Sequence, residues 1–223
     1  MAAGKRVLVT GATGAAGPEV LAAFLDAGWQ VAAVTRRAPP SEPEGVKWVR
    51  AELTDTEETR AAVDDAVATL GGLDALVCLT GGFSATPLDR LSWADFETQL
   101  SRGLRPTVEA VLACREALEA DGEGAIVTIG AQTAQKPGGR VGPYAAAKAA
   151  VIAWSASLAA ALRPRGVRVN CLLPGTIDTP ANRESMPDAK RDAWVQARDL
   201  GRVIIFLCSP ESAPLTGAAI PIG

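Results

Sequence analysis

The stretch Thr10-Gly-Ala-Thr-Gly-Ala-Ala-Gly17 decides how the rest of this sequence is interpreted. Its glycines have the GxxGxxG spacing and are Gly11, Gly14 and Gly17. The basic-then-apolar run at residues 5–9 is typical of a buried strand, and Pro18 suits the first position of a helix. A glycine-rich turn between a strand and a helix lets phosphate oxygens reach the N–H groups at the helix N-terminus. The same glycines fit a plain turn, but this context favours a phosphate-binding loop made of Gly11, Thr13, Gly14, Ala15, Ala16 and Gly17.

The composition predicts one domain that covers residues 1–223. Of the 223 residues, 48% are hydrophobic and 21% are charged, which suits a compact α/β domain with a sizeable core. The formal net charge is −3, and the sequence contains no lysine-rich run and no basic patch interleaved with aromatic residues. Nucleic acid is therefore not an expected partner.

The cysteines indicate the cellular compartment of the protein, and the lack of histidine limits its catalytic mechanisms. The four cysteines lie far apart among apolar residues and form no CxxC pair, which is typical of reduced core cysteines in a cytoplasmic protein. Histidine is absent, so a Ser-His-Asp triad and a histidine-ligated zinc ion are excluded, and no metal site is expected. Acid–base chemistry must then use tyrosine, lysine or a carboxylate.

No membrane association is expected from the hydrophobic pattern. The N-terminal region lacks the continuous apolar core of a signal peptide, because Gly11 follows Lys5 and Arg6 within a few residues. The longest apolar stretch, residues 145–162, contains Lys148 and two serines among many alanines. We therefore predict a buried, close-packing helix there and not a membrane span.

Strand and helix patterns alternate along the chain. Strands are predicted at residues 5–9, 30–35, 46–49, 74–79, 125–129, 167–172 and 219–222. Helices are predicted at residues 18–25, 56–70, 93–118 and 145–162. The last strand contains Pro221, which an edge strand tolerates. The alternation predicts a single doubly wound, Rossmann-type α/β domain with a mainly parallel seven-stranded sheet flanked by helices.

The end of the second strand predicts which cofactor the fold prefers. Domains that bind the unphosphorylated cofactor place a carboxylate there, whereas a 2′-phosphate needs a cation. This tip is Thr35-Arg36-Arg37 and carries no acid, so NADP(H) is favoured over NAD(H), which stays possible. The alternative is a pair of solvated surface arginines.

Two further strand ends are candidate parts of the cofactor site. Glu52 and Leu53 follow the third strand, where an adenine would lie. The fourth strand ends in Thr80, Gly81 and Gly82, and glycines there permit close approach of a ligand, although they also suit an ordinary turn.

Tyr144 and Lys148 are the candidate catalytic pair. They lie four residues apart, which places them on one face of the alanine-rich helix, and Tyr144 is the only tyrosine in the sequence. A neighbouring ammonium is expected to lower the pKa of the phenol by stabilising the phenolate. Helices often carry a surface tyrosine and lysine at this spacing, so the pair gains its weight from the glycine loop before it and the Leu173-Pro-Gly-Thr176 segment after it.

With these motifs in place, the sequence resembles the short-chain dehydrogenase/reductase family over nearly all of its elements. The resemblance implies a small-molecule substrate, an NAD(P) cofactor and a homodimer or homotetramer that pairs through the alanine-rich helix and the long helix before it. It also implies that Tyr144 is the acid/base and that Lys148 holds the nicotinamide ribose. The residues expected near the nicotinamide are Tyr144, Lys148, Pro174, Gly175, Thr176 and Ile177.

The sequence departs from the family pattern at two positions. Ala131 stands where members usually have a serine that holds the substrate oxygen, and Gly103 aligns with an expected asparagine. Loss of one preorganised donor costs on the order of 3 kcal/mol in the transition state. Either another group compensates, or the substrate needs less help.

One branch of the family that shares the alanine is quinonoid dihydropteridine reductase. Residues 78–83 and 173–187 are similar to the corresponding segments of that branch, and Phe83 and Met186 are candidates to line a pocket for a flat ring. A quinonoid dihydropterin accepts hydride readily, which would explain how Tyr144 and Lys148 suffice. Against this, Arg36 lies at the tip where that branch has an acid for NADH. The alternative hypothesis is a catalytically weakened sensor or scaffold that binds NADP(H).

Overall fold

The computed structural model describes residues 4–39 and 42–223, and residues 1–3, 40 and 41 lie outside it. The strands of this part of the chain are β1 (Arg6–Thr10), β2 (Gln30–Thr35), β3 (Val46–Arg50), β4 (Ala75–Cys78), β5 (Ala125–Ile129), β6 (Arg168–Pro174), β7 (Ile177–Asp178), β8 (Val195–Gln196) and β9 (Ala219–Ile222). The helices are α1 (Gly17–Asp26), α2 (Thr56–Leu70), α3 (Trp93–Gly103), α4 (Arg105–Glu119), α5 (Gly142–Leu162), α6 (Pro180–Ser185) and α7 (Ala197–Cys208).

Seven of the strands form one sheet in the order β3-β2-β1-β4-β5-β6-β9. Every neighbouring pair is parallel, which confirms the predicted Rossmann-type sheet. The strand order reverses beside β1, whose last residue, Thr10, pairs in register with Cys78 of β4. Ligands of such sheets bind at the carboxyl ends of the strands next to this reversal. The sheet therefore brings the loops after β1, β2 and β4 to one crevice.

The core has two layers because side chains alternate between the faces of each strand. On one face, residues such as Leu8, Leu76 and Ile126 pack against α2, α4 and α5. On the other face, residues such as Val9 and Val127 pack against α1 and α7. Burial on both faces explains why the strands are continuous apolar runs and do not alternate with polar residues.

The segment predicted as one helix at residues 93–118 forms two helices. α3 ends at Gly103, and α4 begins at Arg105. Pro106 explains the interruption, because a proline has no N–H to donate to the carbonyl oxygen four residues earlier and its ring crowds that carbonyl. The prediction of a single helix was therefore wrong at this point.

The edge position of the last strand is confirmed. β9 pairs only with β6 in the described sheet, and Pro221 stands opposite Leu173. The sequence did not predict α7 or the small two-stranded sheet of β7 and β8. Strands of two residues are too short to leave a hydrophobic period.

Helix α5 is less buried than the sequence predicts. Lys148, Val151, Ser155 and Ala159 face the protein, but a row of alanines on the opposite face is exposed and comprises Ala146, Ala149, Ala153, Ala156 and Ala160. By length and composition alone this helix could cross a membrane, and 39% of its most apolar window is buried inside the protein. Its inner face supplies part of the candidate site.

Candidate active site

The loop after β1 is shaped for close approach of a ligand. Gly11 has a φ of 69°, and a Cβ added there would lie 2.7 Å from the backbone nitrogen of Thr80. A Cβ on Gly17 would collide with the carbonyl oxygen of Ala12. α1 then begins without a side-chain cap, because its N-cap residue is Ala16. The N–H of Gly17 donates to the carbonyl oxygen of Gly14 at 2.9 Å and Pro18 has no N–H, so the helix offers an anion mainly the positive end of its dipole.

A cavity of about 720 Å³ lies beside this loop. Its wall contains predicted cofactor residues from four strand ends, namely Gly11, Thr13, Gly14, Thr35, Arg36, Arg37, Glu52, Leu53, Thr80, Gly81 and Gly82. The predicted loop residues Ala15, Ala16 and Gly17 do not line it. Ser101, Arg102 and Pro106 also line it, from a part of the chain where the sequence suggested no cofactor residue. They belong to the junction of α3 and α4, which the predicted single helix concealed.

Hydrogen bonds order the tip of β2 at the rim of this cavity. The Thr35 hydroxyl donates to the Arg37 carbonyl oxygen at 2.6 Å and lies 3.4 Å from the Thr13 hydroxyl. The tip itself has no acid, but the segment after β3 supplies one, because a carboxylate oxygen of Glu52 lies 3.6 Å from Nη1 of Arg36. Both side chains are exposed, so water screens this ion pair.

The turn after β4 borders two cavities. A Cβ on Gly81 would lie 3.1 Å from Nζ of Lys148, so a larger residue there would press on the lysine. A Cβ on Gly82 would lie 3.6 Å from Cδ of Arg102 on the other side. The Thr80 hydroxyl is buried in this turn without a hydrogen-bond partner in the described chain. Buried polar atoms nearly always have a hydrogen-bond partner, so the unpaired Thr80 hydroxyl is consistent with a ligand that binds against this turn.

The second cavity, of about 1070 Å³, contains the remaining predicted residues. These are Tyr144, Lys148, Pro174, Gly175, Thr176 and Ile177. Phe83 and Met186 also line it, as the sequence suggested. Its other walls come from the segment after β5 and from α6, including Gln132, Lys136, Asn182 and Ser185.

Lys148 is the most deeply placed charged group of the site. Only 5% of its surface is exposed, and Nζ donates to the carbonyl oxygen of Ile129 at 2.7 Å. Burial lowers the pKa of Lys148 to about 8, because the protein interior disfavours the ammonium. Two of its three N–H groups remain for other partners.

Burial raises the pKa of Tyr144, which is the opposite of the predicted lowering. Desolvation causes this rise because it disfavours the phenolate, and no interaction with Lys148 offsets it. Phe83 lies edge-on to Tyr144, with ring centroids 5.1 Å apart and an interplanar angle of 74°. Phe83 itself is 65% exposed and presents an aromatic surface to the cavity.

The two departures from the family pattern leave no side-chain donor at their positions. Ala131 is nearly buried in the wall of the second cavity. Gly103 lines neither cavity, and its carbonyl oxygen accepts a hydrogen bond from the Thr107 hydroxyl at 3.1 Å. Gln132 does not replace them as a donor, because its amide nitrogen already donates to the carbonyl oxygens of Ile222 and Gly223.

The segment from β7 to β8 covers one side of the second cavity, and its internal ties could not be predicted from the sequence. Asp178 accepts two hydrogen bonds from Arg183, at 2.6 and 2.8 Å, and one from Gln196 at 3.1 Å. These bonds, with that from Arg183 the largest cause, lower the pKa of Asp178 to about 2. The carboxylate thereby joins β7, α6 and β8.

Comparison with known proteins assigns this site to a family. The family model described as short chain dehydrogenase matches residues 5–190. L-fucose dehydrogenase of Oryctolagus cuniculus is 34% identical over 223 residues, which span 90% of this chain and 74% of that protein. Glucose 1-dehydrogenase of Gluconobacter oxydans is 28% identical over 242 residues, which span 98% and 90%.

A solved structure, ElxO with NADP bound, has the same fold. It is 22% identical, covers 98% of this chain and 97% of its own, and superposes with a TM-score of 0.90. None of these three relatives is described as a dihydropteridine reductase. The match to the family model covers most of the chain, so this protein belongs to the short-chain dehydrogenase/reductase family of NAD(P)-dependent oxidoreductases that act on small molecules.

Proposed function

We propose that this protein is an NADP(H)-preferring reductase of a conjugated or carbonyl compound, with Tyr144 as the proton donor. The observation that carries the proposal is the turn at Gly81 and Gly82, which borders both cavities. Residues of the first cavity would hold the adenosine half of the cofactor. Residues of the second would hold the nicotinamide half beside Tyr144 and Lys148.

The residues present fit such a cofactor. The glycine loop and the uncapped N-terminus of α1 suit a diphosphate. Arg36 and Arg37 suit a 2′-phosphate, because a guanidinium offers a fork of donors to phosphate oxygens. The Glu52 carboxylate beside Arg36 can accept from ribose hydroxyls, so NAD(H) stays possible as the weaker cofactor.

The environment of Tyr144 suits reduction. The bound cofactor supplies the hydride, and the protein must supply a proton to the substrate oxygen or nitrogen. The raised pKa of Tyr144 keeps its hydroxyl protonated at neutral pH, so the proton is available for donation, and water can return it afterwards. Lys148 has two free N–H groups that would hold the nicotinamide ribose and the phenol oxygen.

The lining of the second cavity favours a flat, conjugated substrate. Phe83 offers an exposed aromatic face next to Tyr144, and Met186 adds a flexible apolar contact. No aspartate or glutamate of the described chain lines this cavity. With Ala131 supplying no donor, a compound that gains ring delocalisation on reduction suits the site better than a simple ketone. A quinonoid dihydropterin is such a compound.

A second candidate function is supported by the same departures. Ala131 and Gly103 leave the site with only Tyr144 and Lys148 of the usual group. The protein would then bind NADP(H) as a sensor or scaffold. The retained tyrosine favours the enzyme, because a sensor has little use for a phenol in the second cavity.

Binding and turnover measurements test the proposal together. We expect NADPH to bind more tightly than NADH, and the double substitution Arg36→Leu with Arg37→Leu to abolish that preference. A turnover screen with quinonoid dihydropterin, diketones and quinones should reveal NADPH oxidation. Tyr144→Phe should lower turnover about 100-fold while the dissociation constant for NADPH stays unchanged.

Three results would contradict parts of this proposal. Equal affinity for NADPH and NADH removes the role of the arginine tip. Full turnover by Tyr144→Phe removes the tyrosine as proton donor. Tight NADPH binding without oxidation by any tested acceptor leaves the sensor as the better account.

A further inference from the structure

Arg102 is a cation in the first cavity that no sequence motif identified. It lies in the last turn of α3 and lines the cavity with Arg36 and Arg37. Its Cδ atom lies 3.6 Å from the position of a Cβ on Gly82, so its stem packs on the turn that borders both cavities. It therefore contributes to the wall of this cavity from the side of α3.

The charges that line this cavity do not balance. Its wall has three guanidinium groups and one carboxylate, that of Glu52. Glu52 lies beside Arg36, whereas Arg37 and Arg102 form no ion pair with the residues at 4–39 and 42–223. Unpaired like charges around one cavity repel each other, and an anionic ligand offsets that repulsion.

A purely structural role explains Arg102 less well. A basic residue in the last turn of a helix can interact with exposed carbonyl groups. Here α4 follows almost directly, and the amide of Val108 donates to the Leu104 carbonyl across the junction. The Gly103 carbonyl is also occupied, by Thr107. Arg102 makes no hydrogen bond to these groups among the described residues, and its exposed side chain lines the cavity.

We propose that Arg102 binds a phosphate group of the dinucleotide cofactor and is a third determinant of its affinity, opposite Arg36 and Arg37. The inference rests on the proposed cofactor binding but not on the proposed substrate. The phosphate is either the diphosphate or the 2′-phosphate, since both present the same oxygen chemistry to a guanidinium. In either case the charge of Arg102 contributes to binding, and its side-chain volume does not.

Titration of the full-length protein with NADPH and NADH, at low and high salt, tests this role without any turnover. Arg102→Gln should weaken NADPH binding about tenfold at low salt and flatten the salt dependence, because one charge-assisted contact is lost. Arg102→Lys should recover most of the affinity. The matched control is Arg105→Gln, because Arg105 lies one helical turn away, pairs with Glu109 at 3.7 Å and lines neither cavity.

The two nucleotides identify which phosphate is bound. Equal losses for NADPH and NADH assign Arg102 to the diphosphate, and a loss confined to NADPH assigns it to the 2′-phosphate. An unchanged dissociation constant in Arg102→Gln overturns the inference, as does an equal loss in Arg102→Lys with unaltered salt dependence. In those cases the wild-type protein still binds NADPH, so the proposed function stands. Failure of the wild type to bind either nucleotide overturns both.

Discussion

At the scale of single residues, Lys148 has a measurable energetic cost. Its ammonium lies almost entirely inside the protein with one carbonyl partner, and its pKa is lowered to about 8 from 10.5. Between these two values the unfolded chain binds the proton more tightly than the folded one. The penalty on folding is therefore fully present below pH 8 and disappears as the pH rises toward 10.5.

We expect Lys148→Met to stabilise the protein most at neutral pH. Relative to the wild type, its gain in the free energy of unfolding should shrink by roughly 2 kcal/mol between pH 7 and pH 10. Loss of the hydrogen bond to Ile129 changes the free energy of unfolding of this variant by an amount that we expect to be the same at both pH values. Urea unfolding at both pH values measures this difference, with Lys190→Met at an exposed position as the control. A difference that is constant with pH would show that Lys148 is not desolvated as described.

Ala131 gives the second prediction at this scale. It is nearly buried and lines the second cavity, so a serine there would restore a hydroxyl where the family usually has one. We expect Ala131→Ser to raise kcat for simple ketones by about tenfold, because a preorganised donor stabilises the developing oxyanion. Steady-state kinetics with a ketone and a conjugated acceptor measure the change. Ala134→Ser, which does not line the cavity, is the control, and equal effects of the two substitutions would contradict the prediction.

At the scale of elements, the segment from β7 to β8 covers one side of the second cavity, and hydrogen bonds to one carboxylate hold its parts together. Asp178 joins Arg183 of α6 to Gln196 of β8, and Asn182 and Ser185 of α6 line the second cavity, as does Met186 just after the helix. The Arg183 side chain is half exposed, so the ion pair has a modest energy.

We expect Asp178→Asn to raise KM for the substrate about fivefold with a smaller effect on the NADPH dissociation constant, because a solvent-screened ion pair contributes only modestly. The hydrogen bonds of Asp178 position only the wall of the second cavity, so their loss should weaken substrate binding more than NADPH binding. Asp188→Asn, on the same segment and exposed, is the control. The prediction fails if NADPH binding weakens as much as substrate binding does.

At the scale of the whole molecule, α5 presents a row of exposed alanines, and Leu112 of α4 is 59% exposed. Small side chains let a second helix approach closely, and a self-complementary face suits a two-fold dimer. We therefore expect the 22.9 kDa chain to sediment as a dimer or tetramer. Ala153→Arg should dissociate the assembly, whereas Ala22→Arg, exposed on α1, should not. A monomeric wild-type protein would contradict this expectation.

The features that could be predicted from the sequence are those that depend on residues close together in the chain. The bounds of α2 were predicted to the residue, because its apolar positions have a helical period and Asp55 caps its first turn. The prediction of a single helix at residues 93–118 was wrong because the apolar periodicity continues across Pro106, whereas Pro106 has no N–H to donate to the Arg102 carbonyl oxygen. The break places Arg102 and Pro106 at the first cavity, which no pattern along the chain indicates.

By itself, the sequence determined the parallel sheet, the glycine loop and the pair of Tyr144 and Lys148, because these depend on neighbouring residues and on short repeats. Only the tertiary structure decided the direction of the pKa shifts at that pair, the position of Glu52 beside Arg36 and the presence of Arg102 in the wall of the first cavity. Burial and charge pairing depend on which distant segments meet in space, and residue order does not record those contacts.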